Sequence, residues 1–201
     1  MNIAVYSGSF NPLHIGHLAI IRHMIEVAGF EMVYLIVSPK NPLKDGISSD
    51  SGRERYMAAV EAVERRFLRS GLSAFGRNDS KAVEARVKVD DIELNMPEPH
   101  YTIRTLDALK EREPDNRFTL VMGADNLADI RRWRDYTRIL KEFGVAVFPR
   151  EGHDLTEIKQ DLLKEDPAYM IQILDAEMVD ISSTHIREAI ARGEDISHCL
   201  M

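Results

Sequence analysis

Apolar positions along the chain fall into two alternating patterns. Short apolar runs, IAVYSG (Ile3 to Gly8), MVYLIVSP (Met32 to Pro39), RFTLVMGAD (Arg117 to Asp125), VAVFP (Val145 to Pro149) and MIQIL (Met170 to Leu174), read as strands. MVYLIVSP has too little alternation for a half-exposed strand and reads as one buried on both faces, and RFTLVMGAD reads as buried again. Between them the apolar residues recur at helical spacing. Leu18, Ile21, Ile25 and Ala28 form one such series, stopped by Gly29, and Arg53 to Phe67, Tyr101 to Arg112, Leu155 to Glu165 and Ser182 to Gly193 form others. ARVKVDDIEL (Ala85 to Leu94) adds a strand, and two short helices are expected within Asn126 to Glu142. Strands alternating with helices predict an α/β protein, a doubly wound parallel sheet in a single domain spanning residues 1–201.

Crossover connections in such a sheet are right-handed, and ligands sit beyond the carboxyl ends of its strands. The unusual residues gather there. Gly8 to His17, Pro39 to Lys44, Gly123 to Asp125 and Ser182 to Arg187 all fall in or near strand-to-helix crossings. Pro39 to Gly52 is rich in breakers and long enough to move, while Arg69 to Lys81 reads as irregular.

Composition narrows the choice of partner. The formal net charge is −7 with no basic run, a poor match to nucleic acid, although a few local donors can still hold a small anion. No apolar run is long enough to cross a bilayer, and no basic leader or cleavage site marks the N-terminus. The lone Cys199 has no internal disulfide partner, so a reducing cytoplasm is the expected setting.

Three constellations carry candidate chemistry. In SGSFNPLHIGHL, Gly8, Ser9 and Phe10 open a close turn, and His14 and His17 stand at a helix start. Unpaired N–H groups there attract phosphate, and imidazoles beside them can donate to oxygens whose charge grows as a phosphoanhydride breaks. A zinc site from His14 and His17, with His23 nearby, lacks a convincing third ligand and any cysteine cluster, so no metal residue is assigned.

In DISSTHIR, Ser182, Ser183 and Thr184 open a helix on whose face Arg187 also lies, a setting for one anion. Hydroxyls are common helix caps, yet no Glu or Gln stands three residues on to close a capping box. In MGADNLADIRRWRDY, Gly123 and Asp125 follow a buried strand, with Asp125 able to accept from a ribose. Trp133, the only tryptophan, stands among Arg131, Arg132 and Arg134. That setting suits stacking on a heteroaromatic ring, or else a half-buried indole beneath extended arginines.

HIGH (His14 to His17) is the signature of a nucleotidyltransferase superfamily that includes class I aminoacyl-tRNA synthetases. The ensemble of SGSFNPLHIGH, NPLK (Asn41 to Lys44), VDDIEL with YTIRTLDAL, GAD with Trp133, and ISSTHIR resembles nicotinate mononucleotide adenylyltransferase over nearly the whole chain. The resemblance implies a Rossmann-like fold and adenylyl transfer from ATP to nicotinate mononucleotide, giving deamido-NAD and pyrophosphate, with Mg²⁺ accompanying ATP.

It further implies that His14, His17 and Arg187 act on the triphosphate, and that Gly8, Ser9, Phe10, Gly123, Asp125, Ser182, Ser183 and Thr184 bind ATP. Lys44, Thr102, Trp133 and Arg134 would meet the pyridine nucleotide. Partners are then these two small molecules, without nucleic acid or membrane, and with room for a homo-oligomer. Ser9 and Asn11 follow the eukaryotic nicotinamide-using version, whereas YTIRTL and the Trp133 region look bacterial and favour the acid.

Pantetheine-phosphate adenylyltransferase shares the fold and reaction type but lacks the Gly-x-Asp and Trp pattern. A synthetase fragment would need a lysine-rich second signature. A non-catalytic nucleotide sensor would have no use for His14, His17 and Arg187 together. No Ser-His-Asp or Cys-His arrangement is apparent, which fits a transfer carried by positioning and electrostatics.

Overall fold

The computed structural model describes residues 1–39, 52–68, 86–176 and 183–201. Among these residues six strands form one sheet: β1 (Asn2–Gly8), β2 (Met32–Val37), β3 (Val87–Asp90), β4 (Arg117–Gly123), β5 (Val145–Phe148) and β6 (Ile171–Ile173). Their order is β3-β2-β1-β4-β5-β6, and every pairing is parallel. Such an order reverses direction between β1 and β4, and the crevice at that switch point is where open α/β sheets bind ligands. The register aligns Gly8 of β1 with Val37 of β2, and Gly123 of β4 with Phe148 of β5. The strands therefore end on one edge.

Helices cover both faces, as unbroken apolar strands require. Ile3, Val5, Leu120 and Val147 pack under α3 (Thr102–Arg112) and α5 (Leu155–Glu165) through Ile103, Leu106, Leu109 and Leu162. Ala4, Tyr6, Leu35 and Val37 pack under α1 (Ile15–Glu26) and α2 (Gly52–Leu68) through Leu18, Ile21, Met24, Ala59 and Val63. Fully burying each Leu or Ile is worth about 1.5–3 kcal/mol. Two shorter helices, α4 (Ala124–Ala128) and α6 (Ser183–Ala191), follow β4 and the last strand.

Two expectations are revised. The strand expected over Ala85 to Leu94 is described from Arg86 and ends at Asp90, because its carboxylate accepts the N–H of Ile92 at 3.0 Å and turns the chain into a 3-10 segment, Ile92–Asn95. The two short helices expected within Asn126 to Glu142 are four pieces. These are α4, a 3-10 turn (Ile130–Arg132), a helical turn (Tyr136–Arg138) and a π-helical turn (Ile139–Phe143), with Asp135 left-handed between them at φ 52°. The Arg69 to Lys81 stretch lies outside the described residues.

Candidate active site

The first crossover is built around a buried aromatic ring. Phe10 is 3% exposed and has φ 45°, a conformation that non-glycine residues rarely adopt. Its ring stands edge-on to Tyr6 at 5.4 Å and to His17 at 5.2 Å. Gly8 makes room for it, since a Cβ there would meet the Phe10 ring at 3.2 Å. The side chain of Phe10 is therefore core, and the polar groups of this turn belong to its backbone and to Ser9, which is exposed.

His14 caps α1 in extended conformation, and its carbonyl accepts from the N–H groups of His17 and Leu18. The His14 N–H donates back to Nδ1 of His17 at 3.2 Å. This is the return half of a capping box, with imidazole standing where Glu or Gln usually does. A ring nitrogen that accepts carries no proton, so the proton of neutral His17 sits on Nε2. The two rings lie 3.7 Å apart between centroids.

Burial lowers the pKa of His14 to about 4, helped by the positive charge of Arg150. His17 is pushed well below its ordinary value by burial first, then by His14 and by Arg150. Both imidazoles are neutral donors at physiological pH, and no acidic side chain in the first turn of α1 competes for an incoming anion.

The last helix reaches this turn. Arg187 donates to the Asn11 carbonyl at 2.9 Å and to the Thr184 hydroxyl at 3.0 Å, and Ser183 donates to the Pro12 carbonyl at 3.3 Å. Only Leu13 separates Asn11 and Pro12 from the HIGH tetrapeptide, so the structure brings Ser183, Thr184 and Arg187 against the loop of His14 and His17. On the neighbouring strand, Gly123 caps α4 and exposed Asp125 lies directly over it: a Cβ on Gly123 would collide with the Asp125 carboxylate. Lys44 and Ser182 lie outside the described residues.

Trp133 packs on the other core cluster from the one that holds Phe10 and Leu13. Glu93, buried in the 3-10 segment, accepts the hydroxyl of buried Thr105 at 2.8 Å, which ties VDDIEL to YTIRTL and fixes the start of α3, where Thr102 is half-buried. Trp133 is half-buried against the α3 and α5 side of the core. Its neighbouring arginines face carboxylates. Arg131 pairs with Glu165, Arg132 with Asp129 and Arg134 with Asp135.

Three contributors were absent from the sequence reading. Arg150, just past β5, places its guanidinium 5.2 Å over the Phe148 ring and close enough for both imidazoles to feel its charge. Arg55, 6% exposed in the first turn of α2, donates to the carbonyls of Ser9, Ser38 and Pro39, each at 2.8 Å, and so joins the crossovers after β1 and β2. Leu200 forms an isolated antiparallel bridge with His14. A basic residue just beyond a strand end was the available signal for Arg150; a single backbone bridge leaves none.

Residues 5–189 match the cytidylyltransferase-like family model. The chain is 35% identical over its full length to a protein of Flavobacterium johnsoniae named as a probable nicotinate-nucleotide adenylyltransferase, 92% of which is covered. The chain belongs to the nicotinate-nucleotide adenylyltransferase family. A family member of the same name from Bacteroides fragilis is 34% identical over 98% of the chain and 85% of its own length. The fold matches that of Plasmodium falciparum nicotinic acid mononucleotide adenylyltransferase solved with NaAD. That match has a TM-score of 0.72 at 20% identity, covering 98% of this chain and 87% of that one. Among the described residues no helix is long and apolar enough to cross a membrane.

Proposed function

We propose that the chain transfers the adenylyl group of ATP to nicotinate mononucleotide. A 5′-phosphate oxygen of the mononucleotide attacks the α-phosphorus of ATP, the bond from that phosphorus to the bridging oxygen breaks, and pyrophosphate leaves with the electron pair. The observation that carries this reading is the docking of Arg187 on the Asn11 carbonyl, which brings a guanidinium to the loop that leads into His14 and His17. The names of the relatives in the family support the choice of acceptor.

His17 has its Nδ1 occupied and presents Nε2–H as a fixed donor to the leaving phosphates. Arg150 sets positive charge near both imidazoles, and Arg187 would add its own from the loop that precedes them. Preorganised donors of this kind strengthen as charge develops, and no covalent intermediate on the protein is needed. Among the described residues no group of three His, Cys, Asp or Glu side chains is disposed to hold a metal ion. Mg²⁺ would arrive with ATP, held by phosphate oxygens and water, and would neutralise triphosphate charge. Asp125 would orient the adenosine ribose, Trp133 would stack on the pyridine ring, and Thr102 with the backbone near Arg134 would face its carboxylate.

The test is pyrophosphate release from Mg-ATP with nicotinate mononucleotide, its amide and phosphopantetheine offered separately. Release driven best by the acid supports the assignment. Release with phosphopantetheine alone, or with none of the three, removes it.

A further inference from the structure

Trp133 stands in a segment with little regular structure to hold it. A 3-10 turn precedes it, and left-handed Asp135 follows within two residues. Side chains supply the anchorage instead. Arg131 Nε donates to Glu165 Oε2 at 2.9 Å, and the hydroxyls of Tyr136 and Tyr169 both donate to Glu165 Oε1. Groups two residues before and three residues after the indole thus end on one carboxylate, the last residue of α5. On the opposite side Arg138 donates to both oxygens of Asp107 at 3.1 and 2.9 Å, joining the same segment to α3, which begins with Thr102.

Single exposed ion pairs contribute little, because holding two long side chains offsets most of the attraction. A carboxylate that takes three donors is a different object. It restricts both ends of a short segment at once, and the indole between them inherits that restriction. Tyr136 and Trp133 also pack on one core cluster, so releasing the hydroxyl of Tyr136 loosens the support beside the indole.

We infer that Glu165 is a positioning residue for Trp133, a strap from α5 that sets the angle of the indole and thereby the affinity for the pyridine mononucleotide. The inference rests on the proposed stacking of that ring on Trp133. Glu165 itself lies on the surface end of α5 and is given no contact with substrate.

Because Trp133 is the only tryptophan, its emission reports its own surroundings. In Glu165→Ala the emission of the free enzyme should shift to longer wavelength. KM for nicotinate mononucleotide should rise on the order of tenfold, the scale on which small misplacements of a binding group act, while KM for ATP and kcat hold. Glu165→Gln, which still accepts hydrogen bonds, should recover part of both changes. Unchanged emission overturns the inference. So does an equal rise in both KM values, and so does a shifted emission with an unchanged KM. Trp133→Ala separates the two levels: if that variant also binds the mononucleotide normally, the stacking reading has failed, whereas a raised KM there with an unaltered Glu165→Ala enzyme removes only the strap.

Discussion

Nδ1 of His17 accepts the backbone N–H of His14 at 3.2 Å. That bond decides which nitrogen of His17 carries the proton, and it leaves Nε2–H as the one donor of the neutral ring. His17→Ala should lower kcat by roughly two to three powers of ten, the scale for losing one preorganised donor, with KM for ATP changing far less. Steady-state pyrophosphate release measures both. Near-normal turnover would remove the donor role.

The neutral state of the imidazoles has a consequence for pH. The folded pKa of His14, about 4, lies below its unfolded value near 6.5, so the unfolded chain binds more protons between them. Stability from this group is complete above about pH 6.5 and is lost as pH falls toward 4, a change of about 3 kcal/mol at most. His14→Asn should flatten that part of the stability profile in denaturant titrations. By the same logic kcat/KM should show no histidine inflection between roughly pH 6 and 8, since that ratio reports the free enzyme.

Arg150 acts on both rings through its charge. Replacing it with Leu should raise the pKa values of His14 and His17, though not to the ordinary histidine value, because burial is the larger cause for each. Histidine titration followed by NMR gives the answer. Values that stay put, or fall, would show that the guanidinium turns away in solution.

Gly123 and Asp125 make a sharper steric test. The φ of Gly123, −80°, suits any residue, so Gly123→Ala should fold, but its methyl group would displace the Asp125 carboxylate. Losing one hydrogen bond to a ribose costs about 1–3 kcal/mol. KM for ATP should rise accordingly and match that of Asp125→Ala, with the melting temperature close to wild type. If Gly123→Ala leaves KM for ATP unaltered, Asp125 has no part in nucleotide binding.

Trp133→Ala should raise KM for the mononucleotide much more than KM for ATP. Equal effects on the two substrates would argue that the indole supports the core alone, which its half-buried position would permit.

The sheet was legible because its central strands are buried on both faces, which leaves uninterrupted apolar runs such as Met32–Val37 and Arg117–Gly123. Leu155–Glu165 was legible from apolar spacing, and Asp154 adds a side-chain cap that accepts from Thr156 and Glu157. VKVD resisted because a side-chain bond of Asp90 ends the strand, an event that periodicity does not record. Within the candidate site, groups brought by local sequence could be read: His14 with His17, and Thr184 with Arg187. Contributions that depend on packing between distant segments, from Arg55 and Leu200, could not. Trp133 among three arginines was read either as a face for stacking on a ligand ring or as a half-buried indole beneath them; the indole is half-buried, and carboxylates at Asp129, Asp135 and Glu165 pair with the arginines. Opposite charge within reach outcompetes a ring.

The bonds from Ser183 to Pro12 and from Arg187 to Asn11 span 171 and 176 positions of sequence. A triphosphate taken by both partners would staple together two segments that lie far apart in the chain. Nucleotide capture would then report that α6 has docked on the first crossover, and saturating ATP should protect the enzyme against heat by mass action.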